Sequence, residues 1–140
     1  MNVKVHDLMV EQVMTTTPGQ TVGHVREVMQ KHRISSMPVI GGDDEPVGVI
    51  TTSDLIGVSG DGARVSQVMS DGVYSVPQYS DVSVAARIMR NHKIHHVVVT
   101  HEKRVVGLLS SFDLLQLVED HRFALKNAPT PKKRGIKQVE

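Results

Sequence analysis

Two short runs hold the residues best suited to chemistry. Thr51-Thr52-Ser53-Asp54 and Ser110-Ser111-Phe112-Asp113 each set a hydroxyl three positions ahead of an aspartate at the expected start of a helix. Side chains of this kind cap helices first of all, accepting from the orphan N–H groups of the first turn. A cap needs one such residue, and both runs keep a second. The chain also carries 8 histidines and an acidic loop, Asp43-Asp44-Glu45, which together invite a reading as a metal-dependent hydrolase. The spacing opposes it, because His95 and His96 are adjacent in an expected strand and point to opposite faces, so they cannot chelate one ion together. His32 and His92 close expected helices, where a partial positive charge is favourable without any function. No nucleophile with a base and an orienting group, no phosphate-binding glycine loop and no dinucleotide fingerprint stands in the sequence. Catalytic residues and metal ligands are therefore not expected.

The elements that position these runs come from an internal repeat. A shift of 60 positions pairs Val5 with Val65, Met9 with Met69, Val22 with Val82, Met29 with Met89, His32 with His92 and Val39 with Val99, without a gap. Beyond the loop Gly41 to Pro46 the offset becomes 59, matching Gly48 with Gly107 and Asp54 with Asp113. Each copy predicts an extended piece (Val13 to Thr17; Val73 to Pro77), then a helix capped by Thr21 or Asp81 with apolar residues at helical spacing. Two valine-rich strands joined by a polar turn follow, and then a helix from near Ser53 or Phe112. The expected fold is α+β: two tandem β-α-β-β-α repeats over 1–60 and 61–125, with a disordered basic tail over 126–140. A unit of about 60 residues buries too little apolar surface alone, so the copies should pack sheet to sheet about a pseudo-twofold axis.

Composition sets the boundaries. The 140 residues are 39% hydrophobic and 22% charged, ordinary for a globular chain. Aromatics reach only 3% with no Trp, which removes a base-stacking platform for single-stranded nucleic acid. A net charge of +1 gives no general attraction to nucleic acid or an anionic membrane. With 0 Cys, no span of about 18 apolar residues and no apolar core near Met1, a cytoplasmic location is expected.

The chain resembles the cystathionine-β-synthase-type (CBS) domain family over roughly residues 3 to 120. The matching segments are Asp7-Leu8-Met9 with Val68-Met69, His32-Arg33-Ile34 to Pro38-Val39 with His92-Lys93-Ile94 to Val98-Val99, and Gly48 to Leu55 with Gly107 to Leu114. The resemblance implies a non-catalytic regulatory or sensor module that binds an adenosine-containing nucleotide (AMP, ADP or ATP, with NAD and S-adenosylmethionine as variants) in two clefts between the copies. It implies that Asp54 and Asp113 accept from ribose hydroxyls, while Thr51 and Ser110 contact phosphate. A helix N-terminus that attracts phosphate, and an ionised carboxylate that only accepts, suit those roles.

The family arrangement further implies composite sites. Site one joins Thr51, Ser53 and Asp54 to Gly72, Ile94, His95, His96 and Val97. Site two joins Ser110 and Asp113 to Gln12, Ile34, Ser35, Ser36 and Met37. Ile34, Ile94 and Met37 would flank the base. The sites differ: His95-His96 faces phosphate at site one, where Ser35-Ser36 stands at site two, and Phe112 takes the place of Ser53. Site two is accordingly expected to hold a less charged ligand, to borrow a cation from elsewhere, or to be empty. Partners expected from the resemblance are a second copy of the chain, through helices whose edges at Val28 and Ile88 would otherwise be wet, and a regulated protein in trans. The alternative is a ligand-free interaction or dimerisation module, with Lys132, Lys133 and Arg134 in the tail.

Overall fold

A computed structural model describes residues 3–126. Eleven elements follow in chain order: α1 (Val5–Leu8), α2 (Val22–His32), β1 (Ser36–Ile40), β2 (Pro46–Thr51), α3 (Thr52–Leu55), α4 (Val65–Val68), β3 (Ser75–Pro77), α5 (Val82–His92), β4 (His96–His101), β5 (Arg104–Ser110) and α6 (Ser111–Lys126). Apart from Lys126, the expected tail lies outside the described residues.

The repeat appears in space as it does in sequence. Thr21 caps α2 by accepting from His24 N–H at 3.2 Å, and Asp81 caps α5 by accepting from Ser83 N–H at 2.9 Å. Both helices end on a residue in the left-handed region, Arg33 at φ 55° and Lys93 at φ 55°, whose N–H returns to the carbonyl of Met29 or Met89. The buried faces are Val22, Val25 and Met29 in α2, and Val82, Ala85 and Met89 in α5. Strand β1 pairs antiparallel with β2, and β4 with β5. Strand β3 runs parallel beside β4. Its expected counterpart over Val13 to Thr17 shrinks to one parallel bridge, Thr16 to Val39. The two sheets meet along β1 and β5, and Val105 N–H donates to the Asp44 carbonyl at 2.9 Å.

The segments that open the copies exchange partners. Val5 of α1 is buried with Val82, Ala85, Met89, Val97 and Leu109, which belong to the second copy. Val65 of α4 is buried with Val22, Val25, Met29, Val39 and Ile50 of the first. Bridges Val49 to Ser70 and Val10 to Leu108 continue the exchange, and the repeat offsets carry one bridge onto the other, as a pseudo-twofold axis requires. Periodicity reports the order of segments along the chain and is blind to this crossing. Neither core closes without a segment of the other copy, so the chain folds as one unit.

The final helices differ sharply in length. In the first copy α3 has 4 residues, because the chain turns away at Gly57 and the linker is held by Arg26. The Arg26 guanidinium donates to the carbonyls of Leu55, Val58 and Gly60 and to Asp61. The equivalent residue in α5 is Ala86, no glycine follows, and α6 runs on for 16 residues.

Candidate functional site

Two clefts open where the ends of β2 and β5 meet the starts of β4 and β1. At each, a capping box fixes the chain. Asp54 Oδ2 accepts from Thr51 N–H at 2.9 Å and Thr51 Oγ1 accepts from Asp54 N–H at 3.3 Å. Asp113 Oδ2 accepts from Ser110 N–H at 2.9 Å and Ser110 Oγ accepts from Asp113 N–H at 3.1 Å. The hydroxyl and carboxylate three residues apart are thus caps in both copies, with one carboxylate oxygen engaged in each. Entry to each helix is tied to the neighbouring loop: Thr52 N–H donates to Ser35 O at 2.9 Å, and Ser111 N–H to His95 O at 2.8 Å.

Cleft one is a cavity of about 450 Å³, within the range of small-molecule sites. Of the residues expected there, Thr51, Ser53, Gly72, Ile94, His95 and His96 line it together. Asp54 and Val97 are not on its wall: Asp54 is half-buried behind its cap, and Val97 is fully buried in the second core. Lys93, Tyr74, Val73 and Ser70 also line the cleft. Segment 70–74 arrives there through the segment exchange, since Ser70 bridges Val49. Tyr74 stacks on His92 with ring centroids 4.1 Å apart.

Cleft two is smaller, about 230 Å³. Of the residues expected there, Gln12, Ile34, Ser35, Ser36, Ser110 and Asp113 line it, and Met37 does not, being fully buried in the first core. Arg33 and His96 line it as well. Cleft two therefore has its cation, and Lys93 joins His95-His96 as a basic residue of cleft one. Arg33 and Lys93 are the left-handed residues closing α2 and α5, a position that sequence reasoning assigns to helix termination. The signal was a basic residue at the same place in both copies. Phe112 does not occupy cleft two; it is 77% exposed on α6.

His96 is half-buried and His95 exposed. Burial first, then the neighbouring His95, push the His96 imidazole below its ordinary pKa, and Asp113 partly offsets them. Uncharged imidazole therefore dominates at neutral pH in the free protein. Among the described residues no group of three histidines or carboxylates could hold a metal ion, and no helix is long and apolar enough to cross a membrane.

Residues 5–61 and 65–120 match the family profile of the CBS domain. Over 114 residues the chain is 27% identical to an inosine-5′-monophosphate dehydrogenase of Methanocaldococcus jannaschii, covering 81% of this chain and 23% of that enzyme. The chain thus spans about a quarter of the length of that relative. Among solved structures, the CBS domain pair of protein MJ0100, in complex with 5′-methylthioadenosine and S-adenosyl-L-methionine, has a TM-score of 0.78 at 21% identity, covering 87% of this chain and 100% of that one. The cytosolic domain of the Mg2+ channel MgtE in complex with ATP has a TM-score of 0.74 at 24% identity, covering 84% of this chain and 49% of that one. With both halves matched in tandem, the chain belongs to the CBS domain family and carries two copies of its domain.

Proposed function

We propose that the chain is a regulatory module that takes an adenosine-containing nucleotide, of the AMP, ADP or ATP class, in cleft one, and a second such ligand in cleft two. The observation that carries this reading is the lining of cleft one. Lys93, His95 and His96 supply donors for phosphate, Thr51 and Ser53 supply hydroxyls, and Ile94, Val73 and Tyr74 supply an apolar surface for a base. Asp113, on the wall of cleft two, serves the ribose through the carboxylate oxygen that the cap does not use, and Asp54, set behind the wall of cleft one, takes the same role once its side chain turns toward a bound ligand. The adenosine ligands of MJ0100 and MgtE support the same reading. Because cleft one draws on both copies, a ligand there would tighten their contact, which is how occupancy would be relayed to a regulated protein. A thermal-shift screen across adenine and guanine nucleotides, NAD and S-adenosylmethionine tests this, since a ligand preferring the folded state raises the midpoint.

A second copy of the chain is the proposed protein partner. Val28 and Ile88 do not supply the wet edge expected of them, because each is half-buried against its own core. Helix α6 instead exposes a cluster of apolar residues, Phe112 at 77%, Leu115 at 56% and Val118 at 67%. Light scattering at twice the chain mass would support the dimer, and a monomer at micromolar concentration would refute it.

A further inference from the structure

We infer that the two clefts are not independent, and that His96, which borders both, makes an anionic ligand in one weaken the binding of an anionic ligand in the other. The inference rests on the nucleotide reading of the clefts. His96 opens β4 and is paired in register with Ser110, a residue of cleft two, while its neighbours Ile94 and His95 line cleft one. The other basic residues are private to one cleft: Lys93 and His95 line the first only, and Arg33 lines the second only. Ser35, the only other residue common to both linings among those described, carries no charge.

A neutral imidazole carries a single N–H, so in its uncharged form His96 donates to one phosphate at a time. In the free protein it is largely uncharged, so the first anion to arrive draws both the proton and the ring orientation to its own side. A second anion then meets a donor already engaged. The coupling is reciprocal, as linkage requires, and a single shared donor of this kind supports a five- to tenfold effect, at the low end of known couplings.

Variants that fill one cleft isolate the other. Gly72 lines cleft one and a β-carbon there would meet nothing within 4 Å, so Gly72→Trp sets a bulky side chain at that cleft to obstruct it. Gln12 is exposed and lines cleft two, so Gln12→Trp fills the second. Calorimetric titration with ATP should give one site in each variant. In the unsubstituted chain the second ATP should bind about five- to tenfold more weakly than the weaker of those two sites, and in His96→Gln the isotherm should become the sum of two independent sites. The imidazole proton resonances of His96 should move with ATP in both single-cleft variants, a reading that needs no substitution at His96. The inference is overturned if the unsubstituted isotherm is already that sum, if the weakening persists in His96→Gln, or if the His96 signal responds to one cleft only; the nucleotide reading survives each of these. Failure of every protein to bind ATP or any other adenosine compound would instead remove the nucleotide reading, and the coupling with it.

Discussion

A β-carbon on Gly48 would lie 2.5 Å from Sδ of Met69, and one on Gly107 would lie 2.6 Å from Sδ of Met9. Each methionine ends the opening segment of one copy and rests on the second hairpin strand of the other. The glycines are therefore the points where the exchanged segments cross the sheets. A methionine side chain can move, but the backbone cannot: the same β-carbons would meet Ser70 O at 3.0 Å and Val10 O at 2.8 Å. Gly48→Ala and Gly107→Ala should each destabilise the fold by about 1–3 kcal/mol, the usual range for overpacking. The closer carbonyl makes Gly107→Ala the worse of the two. Urea denaturation checks this, and a loss below about 0.5 kcal/mol at both positions would mean that the crossing segments are loosely held.

The aspartates at the two clefts combine a cap with a proposed ligand contact, and the roles separate by measurement. Asp54→Ala and Asp113→Ala should each cost about 1 kcal/mol of stability through the lost cap. Each should also weaken ATP at its own cleft by about 1–3 kcal/mol, the range for removing a charged hydrogen-bonding partner. Lowered stability with unchanged ATP affinity would reduce either residue to a cap.

The pH dependence of stability follows from His96. Its folded pKa is depressed by burial and by His95, so the unfolded chain binds the proton more readily, at an ordinary value near ~6.5. The contribution of the neutral imidazole is fully present above that value and is lost as pH falls from it through the depressed folded value. Urea midpoints at pH 7.5 and 5.5 should differ more for the unsubstituted protein than for His96→Gln. Equal differences would show that His96 titrates alike in the folded and unfolded chain.

Much of the fold was legible because two independent patterns agreed. The offset between Val22 and Val82, and the helical spacing of Val25 and Met29 with Ala85 and Met89, set two equal helices, and both span 11 residues. Valine-rich runs about a short turn set the hairpins. What escaped was tertiary. The short α1 and α4 carry single buried residues, Val5 and Val65, too brief for any period to announce, and their partners lie across the molecule. The brevity of α3 depends on Arg26 reaching the Leu55 carbonyl, a contact 29 positions apart in sequence. At the clefts, the family resemblance implied Thr51, Ser53, His95 and His96 on one wall and Gln12, Ser35, Ser36, Ser110 and Asp113 on the other. It did not supply Lys93, Arg33 or Tyr74, whose places depend on how helix ends and exchanged segments emerge into the cavity. Strand alternation turns Val97 and Met37 into the cores and away from the clefts.

The claim that these clefts hold an adenosine nucleotide is tested most directly by calorimetric titration of ATP into the unsubstituted chain and into Gly72→Trp. The lining of cleft one predicts saturable binding to the unsubstituted chain and loss of the cleft-one heat in the variant. ATP at 100 times its dissociation constant should then stabilise the unsubstituted fold by about 2.7 kcal/mol. The absence of binding heat and of any stabilisation, with ATP and with AMP, ADP, NAD and S-adenosylmethionine alike, would contradict it.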